Sequence, residues 1–276
     1  ERRWGTSVTP KESAGFQKVV AKAESKTRMK ALAKLTEVVD GRLRFRSDPP
    51  LLVAMDDLPE GADDRLRQVV VDALQEYRTT LSDDRRYLLE TYRFVDLARK
   101  AVGVGSVGTR CWLALFVGRD DDDPLFLQIK EAEASVLERF LGPSEYPESG
   151  QRVVEGQRLM QSSSDIFLGW HRVRADEPID GRHHDYYVRQ LWDGKGSAVV
   201  ETMSPKTMGM YGEMCGWTLA RAHARSGDPI AIDAYLGTGS KFDKAITAFA
   251  RAYADQNDRD HQAVCEAIAD GRLPSM

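Results

Sequence analysis

The sequence lacks long apolar runs, an excess of basic residues and paired cysteines. No apolar stretch approaches the roughly 20 residues that a membrane-spanning helix needs, so no membrane partner is expected. The formal net charge is −4 at pH 7, which gives no reason to expect nucleic acid as a partner. The three cysteines, Cys111, Cys215 and Cys265, are far apart and odd in number. We therefore expect buried free thiols in a reducing, cytoplasmic compartment.

Several enzyme signatures are missing as well. The sequence contains no zinc-ligand spacing, no Gly-x-Ser-x-Gly elbow and no Ser-His-Asp order. Its first residues, Glu1 to Trp4, are followed by no apolar segment, which argues against a secretory signal peptide. Because the sequence also begins without a methionine, we expect it to be a fragment or a processed product.

Hydrophobic patterning divides the 276 residues, 42% of them hydrophobic, into three regions. Residues 1–95 are predicted to be mostly helical, because apolar residues in Asp63–Tyr77 recur at three- and four-residue spacing. Residues 96–203 are predicted to form a β-rich lobe with one helix, and residues 204–276 return to helical patterning. This predicts an α+β fold with an antiparallel β-rich lobe and a helical lobe built from both flanking segments.

The individual elements follow from the same patterns. Strands are predicted at Arg42–Phe45, Leu51–Met55, Cys111–Val117, Leu125–Ile129, Ile166–Trp170 and Tyr186–Leu191. Helices are predicted at Asp63–Tyr77, Gln151–Gln161, Pro205 to about Gly227, Asp243–Asp255 and Asp258–Ile268.

A glycine-rich segment, Gly103 to Gly108, stands between two predicted β regions. Glycines at every second or third position let the backbone approach a ligand closely, since no Cβ intervenes. Exposed backbone N–H groups in such a loop can face phosphate oxygens. The segment predicts a nucleotide-phosphate site at Gly103, Gly105, Ser106 and Gly108.

Two enzyme classes share this Gly-x-Gly-x-x-Gly pattern. In dinucleotide-binding enzymes the pattern opens a helix, but the residues after Gly108 are bulky and favour a strand, Cys111–Val117. In protein kinases the loop lies between two strands and the next strand carries a lysine. Lys130 ends the apolar run Phe126–Ile129, and a cation there can meet the α- and β-phosphates of ATP. The alternative is a hairpin turn beside an ordinary surface lysine.

A kinase-type lysine needs a carboxylate that holds its ammonium group toward the phosphates. Four glutamates are candidates: Glu131, Glu133, Glu138 and Glu155. We favour Glu155, because it lies inside the predicted helix before the next strand. A solvated helix glutamate is the alternative.

Four other polar positions have weaker interpretations. The strand Tyr186–Leu191 leads into Trp192–Gly196, where a kinase would contact adenine, so Arg189 and Gln190 are candidates for ligand contact; facing solvent is their alternative. No asparagine lies four or five residues beyond Asp228, and no Asp-Phe-Gly-like phrase follows it. We therefore interpret Asp228 as a turn residue and His223 as a helix histidine with a structural partner.

The phrase His183-His184-Asp185 has the residue types of a metal site. We interpret it instead as a polar loop that enters a strand.

Longer segments together resemble one bacterial family. They are Val102–Arg110, Phe126–Ala132, Gly150–Gln161, Tyr187–Leu191, Leu219–Asp228 and Tyr253–Gln256. They are similar to the family catalogued as domain of unknown function 2252, most strongly from about Tyr92 to the end.

From the glycine-rich segment and Lys130 we expect an ATP-binding, kinase-like phosphotransferase that uses magnesium and an acceptor of unknown identity. Full-length members of the family carry upstream Gly-Asp-x-His-x-x-Asn and Asn-Asp-Phe-Asp phrases, which look like the catalytic loop and metal ligands of aminoglycoside-phosphotransferase-like kinases. Because those phrases precede the glycine loop, the family looks like a circularly permuted kinase. This chain has neither phrase and resembles the C-terminal portion. A non-catalytic, pseudokinase-like binding or regulatory module and a dinucleotide-binding enzyme are the alternatives.

Overall fold

The computed structural model describes residues 28–58, 64–101, 103, 108–120, 122–174, 182–191 and 198–273. The chain forms two compact units, which meet in sequence between Ala222 and His223. The first unit contains every strand of the described residues.

The strands of the first unit form a hairpin and a larger antiparallel sheet. They are β1 (Thr36–Val39), β2 (Arg42–Phe45), β3 (Leu52–Ala54), β4 (Arg93–Lys100), β5 (Cys111–Val117), β6 (Pro124–Ala132), β7 (Gly169–Val173) and β8 (His184–Gln190). Strands β1 and β2 pair with each other. The other six form one sheet in the order β3-β4-β5-β6-β8-β7, and every neighbouring pair is antiparallel.

The helices lie before, within and after this sheet in sequence. They are α1 (Arg28–Leu35), α2 (Asp64–Thr79), α3 (Asp83–Glu90), α4 (Glu138–Leu141), α5 (Ser149–Met160), α6 (Pro205–Ser226), α7 (Pro229–Leu236) and α8 (Lys241–Ala269). Short 3-10 turns occupy Met55–Asp57 and Val200–Thr202.

Each face of the six-stranded sheet has its own apolar core, because successive side chains of a strand point to opposite faces. On one face Leu127 packs in a cluster with Leu74 and Tyr77 of α2. On the other face its neighbour Phe126 packs with Phe45 of β2 and Leu35 of α1. The sheet is therefore covered on both sides.

Most of the predicted strands and helices are confirmed, but the strand predicted at Ile166–Trp170 is displaced to Gly169–Val173. The cause is Asp165, whose carboxylate accepts hydrogen bonds from the backbone N–H groups of Phe167 (2.8 Å) and Gln190 (2.7 Å). A side chain that takes backbone donors in this way favours a turn over a strand. The chain therefore turns after Asp165 and enters β7 at Gly169, four residues later.

The two C-terminal helices predicted at Asp243–Asp255 and Asp258–Ile268 are wrong as separate elements, since α8 is one helix. The junction contains neither glycine nor proline, the residues that most strongly interrupt a helix. Side-chain hydrogen bonds also cross it, because Gln256 donates to Asp260 (2.7 Å) and accepts from Arg259 (2.8 Å). Pairs at this spacing stabilise a continuous helix.

The first predicted region is less helical than expected. Strand β3 lies within residues 1–95 and pairs with β4, so its residues belong to the main sheet. The cysteines also differ from the expectation. All three are free, but only Cys111 is buried, while Cys215 is half-buried and Cys265 is exposed on α8.

In the second unit, α7 begins at a side-chain cap. Asp228 accepts hydrogen bonds from the backbone N–H groups of Ile230 (2.9 Å) and Ala231 (3.1 Å). This satisfies donors that the first turn of a helix leaves without partners and confirms Asp228 as a turn residue. Apolar side chains of α7 and α8 remain exposed, among them Ile230, Tyr235, Phe249 and Tyr253.

Candidate functional site

The glycine-rich segment connects β4 to β5. Its first and last glycines, Gly103 (φ 41°) and Gly108 (φ 86°), have left-handed backbone conformations that other residues rarely adopt. Gly105 and Ser106 lie outside the described residues. A strand, not a helix, follows Gly108. The pattern therefore does not have the structural context of a dinucleotide-binding fingerprint, which opens a helix.

Lys130 lies near the end of β6, in the middle of the sheet. Its Cα pairs with Cys111 of β5 on one side and with Tyr187 of β8 on the other. Arg189 pairs with Gln128 and is therefore a diagonal neighbour of Lys130, at a Cβ–Cβ distance of roughly 7–8 Å or somewhat less. Lys130 and Arg189 thus lie on one face of the sheet, the face that carries Phe126.

A third cation, Lys100 of β4, influences the same thiol as Lys130 and Arg189, that of Cys111 in β5. Burial raises the pKa of the Cys111 thiol, while Lys130, Lys100 and Arg189 oppose this rise. Burial likewise raises the pKa of Tyr187, and Arg189 opposes that rise. Cys111 pairs with Lys130 and shares its face, and Lys100 lies two residues after Ala98, which belongs to the apolar cluster of that face. We call Lys100, Lys130 and Arg189 the cationic face.

The cations of this face have few partners among the residues that the structure describes. There, no carboxylate lies within 4.0 Å of the Lys130 ammonium group. The Nε of Arg189 is shielded from solvent and has no hydrogen-bond partner in that part of the chain. A buried donor without a partner is costly, so the arrangement is suited to an anion that supplies acceptors.

Glu155 is in α5, as predicted, but its carboxylate contacts Arg158 (3.0 Å) and not Lys130. Arg158 is held by the backbone carbonyl of Leu168 (2.8 Å) and lies 5.6 Å from the centre of the Trp170 ring. The structure thus places Lys130 and Glu155 apart, with Glu155 bound to a neighbour one helical turn away.

Gln190, the other residue predicted to contact a ligand from this strand, has its side chain on the opposite face of the sheet from that of Arg189. Adjacent residues of β8 face opposite sides of the sheet, and the backbone N–H of Gln190 donates to Asp165 (2.7 Å). The predicted hinge at residues 192–196 lies outside the described residues.

The phrase His183-His184-Asp185 does enter a strand, β8, as predicted. His184 is buried, and its Nδ1 lies 2.7 Å from Oε1 of Glu131. Asp185 binds Arg172. Burial raises the pKa of the Asp185 carboxyl, but hydrogen bonds from Arg172 and Ser149 lower it by more, so this pKa lies below its usual value. Within the described residues no three His, Cys, Asp or Glu side chains form a group that could hold a metal ion.

These side chains line a cavity of about 540 Å³ that sequence patterns did not predict. We call it the Glu131 cavity. Its lining residues are Gly108, Arg110, Glu131, Ala132, Glu133, Ala134, Ser149, Arg172, Arg182, His183, His184 and Asp185. The only signal in the sequence is the density of charged residues and histidines in residues 182–185, since their partners lie more than 10 residues away.

Comparison with known proteins places the chain in a family. Residues 4–267 match the model described as "Uncharacterized protein conserved in bacteria (DUF2252)". The chain belongs to this family. The match extends well before Tyr92 and covers most of the N-terminal region that the shorter phrases left out. No curated protein and no solved structure matches the chain.

In the part of the chain that the structure describes, none of the helices combines the length and apolar character needed to cross a bilayer.

Proposed function

We propose that the chain is a kinase-like protein that binds the phosphates of ATP, with magnesium, between the glycine-rich segment and the cationic face. The observation that carries this proposal is that Lys130 and Arg189 are diagonal neighbours on adjacent central strands. Both are cations, and within the described residues the shielded Nε of Arg189 has no hydrogen-bond partner. A polyphosphate supplies the charge and the acceptors that this face lacks.

The order of the elements supports the same proposal. The glycine-rich segment lies between β4 and β5, Lys130 is on the next strand, and α5 precedes β7 and β8. Protein kinases place a glycine-rich loop, a lysine strand and a glutamate helix in this order. We therefore also propose a kinase-like arrangement for residues 93–190, within a family that is circularly permuted relative to other kinases.

Glu155 remains our predicted partner of Lys130. In kinases the lysine–glutamate pair forms only when the helix is correctly positioned. We propose that nucleotide draws the Glu155 carboxylate from Arg158 to Lys130. The exchange of Arg158 for Lys130 as the partner of Glu155 costs little, because the Glu155–Arg158 pair is partly exposed and such pairs contribute only about 0–1 kcal/mol.

Magnesium-ATP titration by calorimetry tests this function. Replacing Lys130 by Ala removes a charge-assisted contact to phosphate, so the dissociation constant is expected to rise by about tenfold to a hundredfold. Lys244→Ala is the matched control, because Lys244 is an exposed lysine of α8. The proposal fails if wild type shows no saturable binding, or if Lys130→Ala binds as tightly as wild type.

The second candidate is a binding or regulatory module without catalysis. The sequence has no Gly-Asp-x-His-x-x-Asn phrase and no Asn-Asp-Phe-Asp phrase, and transfer of a phosphoryl group depends on a positioned base and on metal ligands. Measuring ADP release in the same titrated samples separates the two candidates. Binding with steady ADP release supports an enzyme, whereas binding without ADP release supports the module.

A further inference from the structure

The Glu131 cavity lies beside the proposed phosphate site and uses other side chains. Glu131 leaves β6 on the face opposite Lys130. Asp185 pairs with Ala132 and Arg172 pairs with Asp185, so these two side chains lie on the same face as Lys130. The cavity lies where β6 and β8 meet the start of α5, and Gly108 is at its edge. Its volume is in the range of pockets that bind small molecules, and most of its lining residues are polar or charged.

The carboxylate of Glu131 is already saturated by the protein. It accepts hydrogen bonds from the backbone N–H of Arg110 (2.7 Å) and from the Arg110 guanidinium (3.1 Å), and it contacts His184 Nδ1 (2.7 Å). The Glu131 side chain is only 7% exposed. Because both oxygens are occupied, Glu131 holds Arg110 and His184 in place and has little capacity left for a cationic ligand.

Asp185 is saturated in the same way. It accepts from the backbone N–H of Ser149 (2.6 Å) and from Nε (2.5 Å) and Nη2 (2.9 Å) of Arg172. Nη2 of Arg172 also donates to the carbonyl of Pro147 (2.9 Å). The Nη1 group of Arg172 has no partner among the residues that the structure describes. A rigidly held guanidinium with free N–H groups thus borders the cavity.

The rim adds charges of both signs. Arg182 and His183 are exposed there, and so is the acidic Glu133. The two inner acids are neutralised by their arginine partners, so the inner wall presents donors more than acceptors. We infer that the Glu131 cavity binds an oxyanion, a phosphoryl or carboxylate group, of a small polar molecule, with Arg172 as a principal donor. Planar guanidinium groups are suited to these anions because they donate two parallel hydrogen bonds.

The inference does not depend on nucleotide binding at the cationic face. Both anion classes share the same recognition chemistry, so inorganic phosphate and citrate serve as the two probes. Each is titrated into the full chain at low ionic strength, where charge-assisted contacts are least screened. Binding is followed by calorimetry and by the amide chemical shifts of Arg110 and Ala132, which line the cavity.

Saturable binding of at least one probe, with shifts at Arg110 and Ala132, is expected for wild type. Arg172→Gln is expected to weaken binding by about tenfold to a hundredfold, whereas the control Lys244→Ala, at an exposed lysine of α8, leaves the affinity within about twofold. No saturable binding of either probe overturns the inference. So does an affinity that Lys130→Ala abolishes and Arg172→Gln preserves, since the anion then occupies the cationic face.

Arg172→Gln leaves Asp185 without its cation, so its folding is checked by circular dichroism before titration. If this variant does not fold, Arg182→Gln decides the matter, because Arg182 is exposed and lies at the rim. A loss of affinity in Arg182→Gln supports the cavity as the anion site, and an unchanged affinity overturns it.

Discussion

Gly150, in the first turn of α5, packs directly against the backbone carbonyl group of Tyr186 in β8. A Cβ at this position would lie 2.9 Å from the carbonyl carbon of Tyr186 and 3.2 Å from Cβ of Trp170. The obstacle is backbone, which cannot rotate away as a flexible side chain would. The close approach of α5 to the sheet therefore depends on the absence of a side chain at residue 150.

Replacing Gly150 by Ala is expected to lower the free energy of unfolding by roughly 1–3 kcal/mol, the usual cost of overpacking. Gly156→Ala in the same helix is the control, because a Cβ there meets only Cε of Met160, at 3.9 Å. That change is expected to raise the free energy of unfolding by up to about 1 kcal/mol through helix propensity. Urea denaturation measures both, and stabilisation by Gly150→Ala would contradict the packing argument.

A buried tyrosine ties α2 to the segment that precedes β7. The Tyr77 hydroxyl donates to the carbonyl oxygen of Phe167 at 2.5 Å, and Tyr77 is 1% exposed. Burial raises the pKa of this phenol well above its ordinary value. The hydrogen bond is thus made by a neutral hydroxyl in an environment without bulk water.

The change Tyr77→Phe leaves the Phe167 carbonyl without this donor, and we expect it to lower the free energy of unfolding by about 1–3 kcal/mol. Tyr87→Phe is the control, since Tyr87 is 69% exposed and its change is expected to stay within about 0.5 kcal/mol. Thermal and urea denaturation of both variants provide the measurement. Equal effects in the two variants would show that the buried hydroxyl contributes nothing.

Most helices and strands could be predicted from the sequence, because each depends on the spacing of apolar residues within a short segment. Apolar runs identified β5, β6 and β8, and the spacing of apolar residues identified α2 and α5. The ion pair that Glu155 forms with Arg158, instead of with Lys130, also joins residues close in sequence, since Arg158 is three residues away on the same helix. Helical spacing alone could have predicted that pair.

Strand register could not be predicted in the same way. The pairing of Lys130 with Tyr187 and of Gln128 with Arg189 joins segments more than 50 residues apart. A one-residue slip in register would move every side chain of a strand to the other face. The cationic face and the Glu131 cavity both depend on this long-range register, so neither could be derived from motifs alone.

Asp185 joins β8 to β7 and to the start of α5, and its side chain is 10% exposed. We expect Asp185→Asn to lower the free energy of unfolding by about 3 kcal/mol, because it leaves the Arg172 charge without its carboxylate. Asp270→Asn is the control, because the Asp270–Arg272 pair is exposed (64% and 65%) and should contribute less than about 1 kcal/mol.

The pH dependence of the Asp185 contribution has a definite sign. Its pKa is lowered in the folded chain, so the unfolded chain binds this proton more readily. The stabilisation is present above the unfolded pKa of about 3.9 and is lost as pH falls through the folded pKa. Wild type should therefore lose stability more steeply than Asp185→Asn below about pH 4. Parallel acid titrations of the two proteins would contradict this.

Whereas Asp185 is a buried acid with a cationic partner, His171 is a base buried among apolar side chains. Its side chain is 6% exposed and lines a cavity of about 70 Å³ between α2 and the sheet. Nδ1 lies 3.4 Å from Oε2 of Glu76, but neither ring nitrogen has a well-directed hydrogen bond in the described residues. Burial lowers the pKa of His171, Arg174 adds to this effect, and Glu76 and Asp185 oppose it.

A histidine with a lowered folded pKa stabilises the fold only while it is neutral. The unfolded chain binds the proton with a pKa of about 6.5, so the free energy of unfolding should fall as pH decreases from about 6.5 toward the folded pKa. Within that window the slope approaches about 1.4 kcal/mol per pH unit for one proton. His171→Leu removes the titrating group from the cavity and should flatten this part of the curve.

Urea denaturation at several pH values between 5.0 and 7.5 measures the slope in both proteins. Tyr87→Phe is again the control, because Tyr87 is 69% exposed and its replacement removes no histidine. The slope difference between wild type and His171→Leu isolates the buried histidine from the carboxylates, which titrate at lower pH in both proteins. If the curves of wild type and His171→Leu stay parallel over the whole range, protonation of His171 is not coupled to the packing of α2 on the sheet.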